Sequence, residues 1–155
     1  LVHLRRRVAH EPYLSALTST LVEVLRYRTM DTFTESELAY LAGQRLGRLA
    51  TVDPRSAPQN SPVGFNVEPD GTVVIGGWNL GATRKFRNVV GNPQTALVVD
   101  DLASVDPWRV RGVEIRGSAE ADTDVEPGQP WLSREQIRIY PERIISWGLD
   151  ELAEG

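Results

Sequence analysis

A single lysine, Lys85, stands in Thr83-Arg84-Lys85-Phe86-Arg87, the densest positive cluster of the otherwise acidic domain that follows residue 29. Arginine meets phosphate as a planar fork, lysine as a compact point charge. A chain that uses arginine everywhere else and lysine once directs attention to what that ammonium holds. The preceding Gly76-Gly77-Trp78-Asn79-Leu80-Gly81-Ala82 reads as a strand end running into a glycine-rich turn, with a short helix opening near Thr83. The first N–H groups of a helix lack partners and carry partial positive charge, so an anion is favoured there twice over. A solvated basic helix face is the alternative reading of the same residues.

Other chemistries are excluded by residue type. The 155-residue chain has no cysteine, which removes disulfides, thiolate metal sites and cysteine nucleophiles. Its two histidines, His3 and His10, both precede the main body of the chain. Serine–histidine and cysteine–histidine mechanisms therefore have no base in that body, and no metal site is expected. Any difficult reaction falls to a bound cofactor. A net charge of −4 argues against a nucleic-acid surface. No stretch has the length of a membrane span, and a cytoplasmic location is expected.

The charge is unevenly spread: residues 1–29 carry five arginines against two glutamates, and residues 30–155 twelve basic against nineteen acidic residues. Met30 is the single methionine. We expect the domain proper at 30–150, with 1–29 an appendage whose native boundary is Met30, and 151–155 a tail. The appendage suits a helix, since Leu14, Leu17, Leu21, Val24 and Arg28 recur at three- and four-residue steps and Pro12 fits a first turn. Arg5-Arg6-Arg7 resembles the front of an export signal, but no apolar core or small-residue cleavage site follows.

The elements that must position the cluster follow from periodicity. Thr34-Glu35-Ser36-Glu37 is a capping box that opens a helix over 35–43, with Gly43 as its stop. Strands are expected at Leu46–Val52, Gln59–Val67 and Thr72–Gly77, the last two joined by the turn Glu68-Pro69-Asp70-Gly71. A helix over about 82–91 precedes a strand at Thr95–Val99 and a loop at 100–107. Arg109–Ala121 is a long strand whose alternation slips, with Gly112 as the expected bulge pivot. Ser133–Gln136 suits a helical turn, and Arg138–Leu149 a last strand or two broken at Pro141. These add up to a mainly β fold, a six-stranded antiparallel barrel with short flanking helices. Trp78, Trp108 and Trp147 fall at strand ends and loops, where they can line a cleft or a subunit interface, or pack as core.

The order and spelling of these segments resemble the pyridoxamine-phosphate-oxidase-like split β-barrel family, and its actinobacterial branch that uses the deazaflavin coenzyme F-420. The resemblance rests on Phe33-Thr34-Glu35 through Leu49-Ala50-Thr51-Val52, on Ser61-Pro62-Val63-Gly64-Phe65, and on Ala82 through Val89 with Asn92-Pro93. Arg109-Val110-Arg111-Gly112 and Ile144-Ile145-Ser146-Trp147-Gly148 complete it. It implies that Thr83, Arg84 and Lys85 grip the cofactor phosphate, with Trp78 and Asn88 nearby. It implies further that Asn60, Ser61, Pro62 and Val63 run along the flavin ring. Such proteins are usually homodimers with the cofactor at the interface, to which residues near Trp147 contribute. Asn60 stands where oxidases of pyridoxamine phosphate carry an arginine, and their terminal histidine is missing, so vitamin B6 oxidation is not expected.

The expected activity is transfer of hydride from a flavin-type cofactor, reduced F-420 in the first instance, to a small unsaturated or conjugated molecule. FMN is the alternative cofactor. A module that holds cofactor, haem or tetrapyrrole without turnover is the alternative class, and a ligand-free structural barrel the last. No residue is singled out as catalytic.

Overall fold

The computed structural model describes residues 11–149. His3, His10, the Arg5-Arg6-Arg7 run and the tail from 151 lie outside the described residues, as do the side chains of Leu14, Leu17 and Arg28. Helix α1 spans Glu11–Thr29, and its Arg26 pairs with Glu120 and lies 5.2 Å over the Tyr140 ring. Helix α2, Glu35–Ala42, opens on the expected capping box. The Thr34 N–H donates to Glu37 Oε2 at 2.8 Å, and the Glu37 N–H to Thr34 Oγ1 at 3.3 Å.

Seven strands follow: β1 Gly47–Val52, β2 Pro58–Val63, β3 Asn66–Val67, β4 Val73–Ile75, β5 Gln94–Ser104, β6 Arg109–Asp122 and β7 Gln136–Trp147. They form one antiparallel sheet in the order β2-β1-β5-β6-β7-β4-β3. Its two edge strands, β2 and β3, are separated in the chain by Gly64 and Phe65 alone. The three Cα–Cα steps from Val63 to Asn66 span roughly 11 Å at most, so the sheet has to curl until its edges approach each other. The result is a half-barrel, open along that seam.

The inward face of the curl is apolar. Leu49, Val73, Ile75, Leu97, Val99, Val113, Ile115, Ile137 and Ile139 have no exposed surface, and Phe86 and Val89 close the core from helix α3, Arg84–Gly91. Burying each such side chain contributes about 1.5–3 kcal/mol before conformational entropy is counted. Strand β2 holds Pro58 and Pro62 and pairs with β1 alone. Proline cannot donate to a second ladder, so this segment belongs at an edge.

Several expectations are corrected. Seven strands replace six because the segment expected as one strand, Gln59–Val67, divides at Gly64-Phe65 to serve both edges of the sheet. Pro141 does not break the last strand: β7 runs through it by bulging at Glu142, since Arg116 faces Arg143 and Gly117 faces Pro141. The expected bulge at Gly112 is absent: β6 pairs residue by residue from Val110 to Arg116, and the extra residues fall in its neighbours, Ala103 of β5 and Glu142 of β7. A Cβ at Gly117 would lie 2.0 Å from the Tyr140 carbonyl oxygen, so only glycine admits the tightened backbone. A second shift falls between Leu102 and Ser104, because β5 extends into the expected loop. Ser133–Gln136 is not helical: Gln136 opens β7, and Ser133 spends its N–H and hydroxyl on another loop.

Candidate active site

The residues after β4 make one continuous device. Asn79 adopts left-handed φ and ψ of 53° and 43°, a single 3₁₀ turn covers Leu80–Ala82, and Thr83 then caps α3. The Thr83 hydroxyl donates to the Leu80 carbonyl at 2.6 Å and accepts from the Phe86 N–H at 3.4 Å. Arg84 and Lys85 therefore fall in the first turn, where backbone N–H groups have no carbonyl four residues back. Phe86 and Val89 are buried on the opposite face of α3, which holds its start against the sheet. Neither Arg84 nor Lys85 forms a hydrogen bond or ion pair among the described residues. The third basic residue, Arg87, turns back to the Ala82 carbonyl at 2.7 Å.

Lys85 and Thr83 line a solvent-open cavity of about 990 Å³. Its walls come from four places: the end of α2 with Gln44 and Arg45, the β2–β3 seam from Pro62 to Asn66, the Gly76-Gly77-Trp78 turn, and Gln129, Trp131 and Leu132. Arg45 and Lys85 are the charged residues of this lining, and no aspartate or glutamate is among them. In a chain of net charge −4, two cations without a lining acid define an anion-attracting pocket.

The cavity brings together Pro62, Val63, Trp78, Thr83 and Lys85 of the residues expected at the site. Arg84 is exposed beside Lys85, outside the lining. Asn60 is exposed on the edge strand, and Ser61, next to Pro62, has a buried Oγ without a hydrogen-bond partner among the described residues. Asn88 lies elsewhere: its buried amide donates to Thr51 Oγ1 at 3.0 Å and Gln59 Oε1 at 3.2 Å, pinning α3 to the sheet. Trp147 lies across Gly112 at the far end of β7, away from this lining.

Arg45, Gln44, Trp131 and Leu132 are lining residues that sequence reasoning passed over. Arg45 carried a signal, a lone cation just past the helix stop Gly43. Trp131 carried none, since its loop has neither period nor motif. Tertiary contact places it: Ser133 Oγ donates to the Gly77 carbonyl at 3.0 Å and accepts from the Leu80 N–H at 3.1 Å. Ser133 N–H donates to the same Gly77 carbonyl at 3.0 Å.

A polar network backs the α2 end of the cavity. Arg111 Nε and Nη2 donate to Asp101 at 2.7 and 3.0 Å, Gln44 Nε2 donates to Asp101 Oδ2 at 3.1 Å, and the Tyr40 hydroxyl to Asp101 Oδ1 at 3.2 Å. The Arg111 fork holds the Asp101 carboxyl below the usual carboxylate range. Burial, reinforced by the Asp101 charge, pushes the Tyr40 phenol up to about 12. The network fixes Gln44 from behind and leaves Tyr40 a neutral phenol outside the lining.

A flavin-type cofactor is the group this arrangement fits. Its anionic arm matches two unpaired cations at a capped helix start, and the cavity has the size of sites that enclose drug-sized ligands, roughly 300–1,000 Å³. Ser61 Oγ and the unpaired edge of β2 add polar groups beside the seam.

Comparison with known proteins gives the family and the fold. Residues 33–150 match the family described as pyridoxamine 5′-phosphate oxidase, about three quarters of the chain, and the protein belongs to that split-barrel family. It is 45% identical over 120 residues to the 5a,11a-dehydrotetracycline/5a,11a-dehydrooxytetracycline reductase of Streptomyces rimosus, covering 76% of this chain and 84% of the relative. Two solved structures share the fold. A conserved hypothetical protein of Mycobacterium tuberculosis has a TM-score of 0.60 at 21% identity, over 80% of this chain and 90% of that one. An F-420 reductase has a TM-score of 0.57 at 21% identity, over 73% of this chain and 98% of that one.

Proposed function

We propose that this protein is an oxidoreductase that binds a flavin-type cofactor, reduced F-420 in preference to FMN, and passes hydride to a conjugated organic acceptor. The observation that carries the reading is the cavity whose charged lining is Arg45 and Lys85 alone, set at the start of α3. Lys85 and Arg84 hold the phosphate as charge-assisted donors, with the N–H groups of the first turn beside them. Thr83 keeps that turn closed through its bond to Leu80. Pro62, Val63 and the open edge of β2 flank the ring. Kinship with a reductase that acts on dehydrotetracyclines supports an acceptor with conjugated, fused rings.

When bound, the reduced cofactor supplies the hydride. The chain's part is to orient the two reactants and keep them in contact, which lowers the barrier without an acid–base side chain. Reduction of a carbon–carbon double bond also consumes one proton, which solvent provides through the open side of the cavity. The protein acts as a homodimer: Trp108 and Val105, 67% and 70% exposed, and the half-exposed Trp147 are apolar surface for a second copy to cover.

Titration of the whole chain with F-420 and with FMN tests the reading. Lys85→Ala and Arg84→Ala should each weaken the preferred cofactor by about 2–3 kcal/mol, while unfolding of the cofactor-free protein is unchanged. Wild-type affinity in both variants, or no binding of either cofactor to the wild type, would overturn it. FMN as the resident cofactor would show as yellow protein on purification.

A further inference from the structure

Trp78 and Trp131 line the same cavity from loops 53 residues apart, and they are 84% and 63% exposed. A single exposed indole needs no explanation, but two on the wall of one cavity, with Phe65 and Leu132 beside them, make the kind of apolar surface that marks a ligand site. The two loops are fastened together by Ser133, whose side chain and N–H hold Gly77 and Leu80. Trp78 follows Gly77 directly, and Trp131 lies two residues before Ser133. Leu132 packs on Gly76, where an added Cβ would come within 3.3 Å of its Cδ2. The loops are thus stapled at their roots while the indoles stay free at the cavity's rim.

Resting on the cofactor reading above, we propose that Trp78 and Trp131 form an aromatic clamp that selects extended, fused-ring conjugated acceptors over small single-ring ones, with Ser133 as its positioning residue. The family resemblance put Trp78 against the cofactor; its exposure at the rim assigns it to the acceptor. An acceptor with several coplanar conjugated rings offers π-surface to both indoles at once, whereas a single ring reaches one. The apolar neighbours Phe65 and Leu132 continue the same surface inward. The charged residues Arg45 and Lys85 remain available to the anionic arm of the cofactor.

The test is calorimetric titration of the full chain, with and without saturating cofactor, using tetracycline as the fused four-ring probe and 2-cyclohexen-1-one as the single-ring probe. Trp78→Ala and Trp131→Ala should each raise the tetracycline Kd by roughly 5–20-fold, as loss of one stacking partner does. Trp→Phe at either position should restore most of that loss. Cofactor affinity and cyclohexenone affinity should change by less than about twofold. Ser133→Ala should weaken tetracycline as the tryptophan variants do, and Ser133→Thr, which keeps the hydroxyl, should recover it. The clamp is overturned if the wild type does not bind tetracycline, or if the alanine variants bind it as tightly as the wild type. It is overturned equally if they lose cofactor affinity instead, or change oligomeric mass with acceptor affinity intact. Failure of the cofactor reading looks different: the wild type then binds neither F-420 nor FMN, whatever the tryptophan variants do with tetracycline.

Discussion

The indole of Trp147 lies directly over Gly112, its register partner across the β6–β7 ladder. A Cβ built on Gly112 would sit 2.5 Å from the ring and 2.8 Å from the Val99 carbonyl oxygen. Gly112→Ala should therefore destabilise the protein by about 1–3 kcal/mol through overpacking. Combining it with Trp147→Ala should recover the part due to the ring but not the part due to the backbone, so the two changes will not add. Urea unfolding of both singles and the double measures this, and strict additivity would contradict the contact.

Asn88 separates a structural from a ligand-binding role. Its amide is buried and donates to both Thr51 and Gln59. Asn88→Ala leaves two acceptors unpaired and should cost about 1–3 kcal/mol of stability in the absence of cofactor. Cofactor affinity, measured where the variant is folded, should stay within about twofold of wild type. A large loss of affinity with stability intact would return Asn88 to the cofactor site.

The Tyr40–Asp101–Arg111 cluster makes stability depend on pH at both extremes. Burial first, then the Asp101 charge, raises the folded phenol to about 12, whereas an unfolded tyrosine ionises near 10. Its contribution is complete below pH 10 and declines as the pH rises toward 12, by about 1–2 kcal/mol. Asp101 is shifted the other way by the Arg111 fork, so its contribution is present above roughly pH 4 and is lost as the pH falls through the lowered folded value. Tyr40→Phe should flatten the alkaline limb of a stability profile, and Asp101→Asn the acidic limb as well as weakening the tie to α2. Unaltered limbs in both variants would refute the assignment.

Because Lys85 is the single lysine, amine-selective acetylation reaches only that side chain and the terminal amine. Mass spectrometry should find Lys85 modified in the free protein and protected when cofactor is bound. Acetylated protein should bind cofactor about 30-fold or more weakly, the equivalent of one charge-assisted hydrogen bond. Equal labelling with and without cofactor would place the anion elsewhere.

What the sequence determined about this protein is local. The capping box at Thr34 and Glu37, the Thr83 cap and the basic first turn of α3 each lie within a few residues and are specified by nearest-neighbour chemistry. So is the apolar alternation along the strands that carry Leu49, Leu97, Ile115 and Ile139 to the inward face, while the resemblance to the family rested on the order and spelling of the motif segments. Tertiary structure decided what depends on distant partners. The half-barrel arises because one bent segment serves as both edges of the sheet. The bulge sits at Glu142 because Gly117 alone lets two backbones approach, and Gly112 is needed instead for the ring of Trp147. Asn88 turned inward to Thr51 and Gln59, and Ser133 drew Trp131 to the rim beside Trp78. Such contacts join residues dozens of positions apart, and no local periodicity encodes which pairs will meet once the sheet has curled.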